Sequence, residues 1–237
     1  NVRRRIGLPT SDMHTPFVIT VHHLNNSRSQ RVLWLLEELE VPYEIVRYER
    51  DKETMLAPAS LKKVHPLGKS PVVVDGDQKL VESGAVLTYL AEKYGSGKLA
   101  PAHGTPEWTK WNYWMHYAEG SAMPPLLLAL IFAKVKNAPV PFFIKPISRG
   151  IADKVMSSFV TPQLETHFDF MESEVGEWFA NDAFSAADVQ MSFPVEAARA
   201  RNALNGRPKL TAWLEKIHAR PAYQRALEKV GPYQLLG

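Results

Sequence analysis

The 237-residue sequence contains no cysteine. That excludes a disulfide framework, a thiolate zinc site and a cysteine nucleophile. Long apolar runs are missing as well. The best, Leu126 to Ala133, is far short of the roughly 18 residues that suggest a membrane span. Charge of one sign is scarce: 28 basic residues stand against 25 acidic ones, a formal net charge of +3. Three arginines and one aspartate of that balance lie in residues 1–12, so the remainder gives little reason to expect a nucleic-acid partner. Residues 1–12 also lack the apolar core of a secretory signal. They are expected to be an added extension, with Met13 a natural start, and the chain is expected to be cytoplasmic with no membrane partner.

What is present is ordered punctuation. Phe17 to His23 is a strand candidate, followed by the turn Leu24-Asn25-Asn26-Ser27. Arg28 to Glu40 repeats Val32, Leu33, Leu35, Leu36 and Leu39 at helical spacing, and Val41-Pro42 stops it. Tyr43 to Tyr48 alternates as a second strand, and a βαβ unit of this kind requires a parallel pair. A short helix is expected at Ser60–Val64. Pro71 then opens the β-branched run Val72-Val73-Val74, Asp75-Gly76-Asp77 is a hairpin turn, and Lys79 to Glu82 returns. Ser83 can cap a helix carrying Val86, Leu87, Leu90 and Tyr94, ended by Gly95.

Residues 96–106 are rich in Gly, Pro and Ser and are expected to link two domains, 13–95 and 107–237. The second is helical throughout. Pro124-Pro125 should break the helix from Glu107 to Lys136, and residues 147–179 are expected to form one long helix bent near Pro162. Ser185 and Asp188 resemble a capping box. His22-His23 is no metal pair, because adjacent strand residues point to opposite faces.

A proline-led strand, a hairpin and an acid–serine pair at a helix start resemble the glutathione site of cytosolic glutathione transferases. SRxxRxLWLLEEL, here Ser27–Leu39, and HPLGKSP, here His65–Pro71, resemble a bacterial and fungal subgroup. The resemblance implies a thioredoxin-like α/β domain followed by an all-α domain. It implies an enzyme that conjugates glutathione, as co-substrate and without a metal, to a small hydrophobic electrophile in detoxification, with a peroxidase activity of the same thiol as an extension. A glutathione-binding interaction or regulatory module is the other reading. A homodimer is implied, and the Ser70–Pro71 peptide should be cis.

On that resemblance, Glu82 and Ser83 hold the γ-glutamyl end. A helix start and a hydroxyl suit its carboxylate, and the acid suits its ammonium. Ser70 offers its backbone before Pro71, and Lys69 suits the glycyl carboxylate. The thiol, free pKa ~8.5, needs activation at the start of the first helix. Ser27, Asn26, Arg28 and a backbone N–H are the candidates, with Ser27 foremost as the hydroxyl at the helix start. Asn26 falls where plant-type members carry serine. Trp114, Tyr117 and Met123 are candidates for the electrophile pocket.

Overall fold

The computed structural model describes residues 18–232. Residues 1–17, with Met13 and the expected extension, lie outside the described residues. The first half forms β1 (Ile19–Leu24), α1 (Ser29–Leu39), β2 (Tyr43–Tyr48), α2 (Leu61–Val64), β3 (Val72–Asp75), β4 (Gln78–Val81) and α3 (Ser83–Tyr94). The strands form one sheet in the order β2-β1-β3-β4. β1 and β2 are parallel, and β3 is antiparallel to both β1 and β4. This is the thioredoxin-like arrangement. Asp75 is the last residue of β3 rather than part of the turn. Its buried carboxylate accepts from Tyr89, Lys93 and Tyr94, which fastens the hairpin to α3.

The second half is helical: α4 (Pro106–Tyr117), α5 (Met123–Lys136), α6 (Lys145–Val155), α7 (Thr161–Glu174), α8 (Ala186–Arg199), α9 (Pro208–His218) and α10 (Pro221–Val230). α4 starts at Pro106, where Thr105 accepts from the Trp108 N–H. The break expected at Pro124-Pro125 is a π-helical turn, Ala118–Ala122, just before the prolines. Two consecutive residues without an N–H cannot complete the α ladder to the preceding turn, and the wider π turn absorbs the mismatch. Pro162 acts likewise: Met156–Val160 is π-helical, and the helix ends at Glu174 rather than reaching residue 179. The α4–α5 rod, Pro106–Lys136, is long and apolar enough to cross a membrane by length and composition. It carries Trp111, Trp114 and Met115 into the protein core.

The capping box at α8 is present. Ser185 accepts from the Ala187 N–H, and the Asp188 carboxylate accepts from the N–H groups of Ser185 and Phe179 and from Trp213 Nε1. α8 is buried along nearly its whole length. It packs against α1, α3 and α4 and joins the two halves.

Candidate functional site

Two cavities lie side by side, and Arg28 lines both. The first, about 320 Å³, is enclosed by the loop carrying His65, Leu67, Lys69, Ser70 and Pro71 and by Val81, Glu82 and Ser83. The local sequence explains its shape. Gly68 has φ +58°, and a Cβ there would meet Lys62 Cγ at 2.8 Å, so the turn of HPLGKSP needs glycine. The Ser70 hydroxyl donates to the His22 carbonyl and accepts from the Leu24 N–H, which pins the loop to β1. The Ser70–Pro71 peptide is cis. Glu82 immediately precedes α3 at φ +68°, a conformation uncommon for a residue with a side chain. Lys69, Ser70, Pro71, Glu82 and Ser83 are thus brought together around one hollow.

Ser83 differs from the expectation in one respect. It is the first residue of α3, not its cap, and its hydroxyl accepts from Arg31 Nη2 at 2.8 Å. Arg31 is 1% exposed and also donates to the Gln190 carbonyl of α8 and to Glu119. Glu119, in the π turn, receives two further bonds from Arg28 Nε. Burial pushes the Glu119 carboxyl up, but the guanidinium groups of Arg31 and Arg28 outweigh it and hold the group at about 2. Arg31 and Glu119 therefore support the floor of the cavity without having been singled out from the sequence. The signal was a basic residue on the apolar face of α1.

The turn before α1 separates the thiol-activation candidates. Asn26 has φ +47°, a left-handed conformation that asparagine tolerates, and it lines the second cavity. Ser27 is 5% exposed and lines neither cavity. Its hydroxyl pairs with Ser29 Oγ at 2.8 Å and accepts from the Ser29 N–H. Ser29 Oγ in turn meets His23 Nδ1 at 2.8 Å. The chain His23–Ser29–Ser27 points into the protein, and Ser27 satisfies the first turn of α1. Burial, with a smaller contribution from the Arg47 charge, lowers the His23 imidazole to about 4.

The second cavity, about 270 Å³, is walled by α5 and α8. Met123, Leu126, Leu127 and Leu130 come from one face of α5, and Phe193 and Ala197 from one face of α8. Of the three residues expected in the electrophile pocket, Met123 is here. Trp114 and Tyr117 are not. They are buried and packed against each other and against Phe170, because this face of α4 turns toward α7 and α8. Sequence reasoning missed Arg50, Lys134, Phe193 and Arg201, which only tertiary folding brings together.

A sheet of this order, followed by a helical bundle and with such a cavity before α3, defines the glutathione transferase fold. The profile of the glutathione S-transferase N-terminal domain matches residues 17–92. Glutathione S-transferase 1 of Saccharomyces cerevisiae is 35% identical over 223 residues, 90% of this chain and 95% of that protein. Glutathione S-transferase 3 of Schizosaccharomyces pombe is 37% identical over 217 residues, 90% of this chain and 88% of that protein. The crystal structure of a glutathione S-transferase from Actinobacillus pleuropneumoniae superposes with a TM-score of 0.76 at 32% identity, covering 90% of this chain and 92% of that one. The chain belongs to the glutathione S-transferase family, a family of enzymes.

Proposed function

We propose that the protein binds glutathione across the first cavity and presents its thiolate, at the start of α1, to a hydrophobic electrophile in the second. The observation that supports this most is the adjacency of the two cavities at Arg28. Glu82 and Ser83 suit the γ-glutamyl ammonium and carboxylate, Ser70 and Pro71 the cysteinyl segment, and Lys69 the glycyl carboxylate. Asn26 and Arg28 are the side chains of the α1 turn that line a cavity, and they are the proposed donors to the thiolate. Moving a thiol pKa of ~8.5 down by two units needs about 2.7 kcal/mol of preferential stabilisation of the anion. An amide donor, a cation and a helix start can together supply it.

The protein is proposed to act in the cytoplasm as a homodimer. A hollow beside Glu82, formed by α3 and α4 around Tyr89, Met115 and His116, offers a face for a second copy. Sedimentation should give twice the chain mass of 26.7 kDa. For the function itself the test is calorimetry with glutathione together with turnover of 1-chloro-2,4-dinitrobenzene. Binding with turnover is expected. No binding overturns the proposal, and binding without turnover of any electrophile or hydroperoxide makes the protein a glutathione-binding module.

A further inference from the structure

We infer that the second cavity takes an electrophile that is itself an anion: an apolar body carrying a carboxylate or sulfonate. The inference rests on the transferase reading for the word electrophile, but the cavity's own charge carries it. Among the described residues four cations line the cavity, Arg28, Arg50, Lys134 and Arg201, and no carboxylate lines it. A pocket for neutral hydrophobic compounds needs only the apolar wall formed by Met123, Leu126, Leu130 and Phe193.

Among the described residues, one of the four cations has a carboxylate partner and three do not. Arg28 is paired with Glu119, which faces the glutathione cavity. Arg50 donates to the main-chain carbonyls of Asn25, Asn26 and Met55. Among the described residues no carboxylate pairs with Arg50, Lys134 or Arg201. Burial lowers the Arg50 guanidinium from its usual range, and the nearby Arg28 charge adds to it; burial does the same at Arg201. Partly buried guanidinium groups without a counter-charge have a charged form that a bound anion would stabilise.

The placement also fits one molecule with two ends. Met123, Leu126, Leu130 and Lys134 follow one another along α5, and Phe193, Ala197 and Arg201 follow one another along α8 and just past its end. Each wall therefore runs from apolar to cationic in the same molecule-sized hollow. Arg50, Lys134 and Arg201 do not line the glutathione cavity, so they are not needed for the tripeptide there.

A matched pair of fluorescent probes tests this: 8-anilinonaphthalene-1-sulfonate and its uncharged analogue N-phenyl-1-naphthylamine. The wild-type protein should bind the sulfonate about tenfold or more tightly than the neutral probe, the size of a charge-assisted hydrogen bond. That preference should shrink as salt rises. The double variant Lys134→Gln/Arg201→Gln should lose most of the preference, Arg28 and Arg50 remaining, and keep its affinity for the neutral probe. Both positions are outside the core, and an unchanged circular dichroism spectrum and melting temperature establish the fold. Equal wild-type affinity for the two probes overturns the inference, and so does a preference that survives both the variant and high salt. Two glutathione molecules per chain, reduced to one in the variant, would give the cavity to a second tripeptide and also overturn it. Glutathione calorimetry on the same samples separates the two readings. Loss of glutathione binding with the sulfonate preference intact would sink the transferase reading while the anion site stands.

Discussion

The two cavities meet at one arginine, yet they are built in opposite ways. The first cavity, proposed for glutathione, comes almost entirely from residues 65–83, a loop and a hairpin contiguous in sequence. The second cavity, proposed for the electrophile, gathers residues from the α1 turn, the loop after β2, α5, α8 and the segment just past it, spread from Asn26 to Arg201. A contiguous site constrains its own segment. It fixes a glycine where φ is positive, a proline at a strand start and a serine at a helix start. A gathered site constrains only the ends of helices that other forces have already placed, and its chemistry can change without disturbing the fold.

Arg31 is the sharpest place to break that contrast. It is buried, and it ties α1 to Ser83 of the contiguous site, to Glu119 and to α8. Arg31→Met should cost about 3–5 kcal/mol in urea unfolding, because a carboxylate and a carbonyl lose their buried partner. Glutathione binding should weaken with it. An unchanged unfolding midpoint would mean that Arg28 alone satisfies Glu119.

The next largest effect is in pH. The His23 imidazole stands at about 4 in the folded protein against 6.5 in the unfolded chain. The unfolded state therefore binds the proton first as pH falls. The stability that neutral His23 contributes is complete above pH 6.5 and is lost progressively down to pH 4, about 3 kcal/mol in all. His23→Gln should remove that component, so the wild-type advantage at pH 7 should shrink or reverse by pH 4. Parallel profiles for the two proteins would show that His23 does not titrate across this range.

These partners explain how far the sequence could be read. β2, the hairpin and α3 follow from local signals, as do the Ser185–Asp188 cap and the loop from His65 to Pro71. Trp114 and Tyr117 lie in the core and do not line the second cavity; helical spacing reveals an apolar face but not whether that face meets a cleft or the core. The π turn before Pro124 was legible as a break but not in kind. Arg50, Lys134 and Arg201 have no local signal: a surface cation and a pocket cation look alike until the helices pack.

On the contiguous side, Ser83→Ala removes a hydroxyl that faces both Arg31 and the cavity. Glutathione affinity should fall by about 1–2 kcal/mol, the worth of a hydrogen bond to a charged group. Neutral-probe binding in the second cavity should not change. A loss of both would show that the two cavities share one structural unit rather than one arginine.

The smallest effect separates neighbouring residues of the α1 turn. Asn26 lines a cavity, whereas the Ser27 hydroxyl is engaged with Ser29 inside the protein. Asn26→Ala should therefore raise the pKa of bound glutathione by about one unit, since Arg28 and the helix start remain. Ser27→Ala should leave that pKa unchanged and instead cost about 1 kcal/mol of stability, because it strips a buried partner from Ser29. Ultraviolet titration of the thiolate, run beside urea unfolding, reads both quantities. If Ser27→Ala moves the thiol and Asn26→Ala does not, the serine turns outward when glutathione binds, and the inward chain to His23 is broken in the complex. If neither moves it, the cation Arg28 and the backbone N–H groups carry the activation, and Arg28→Gln should then produce the shift alone.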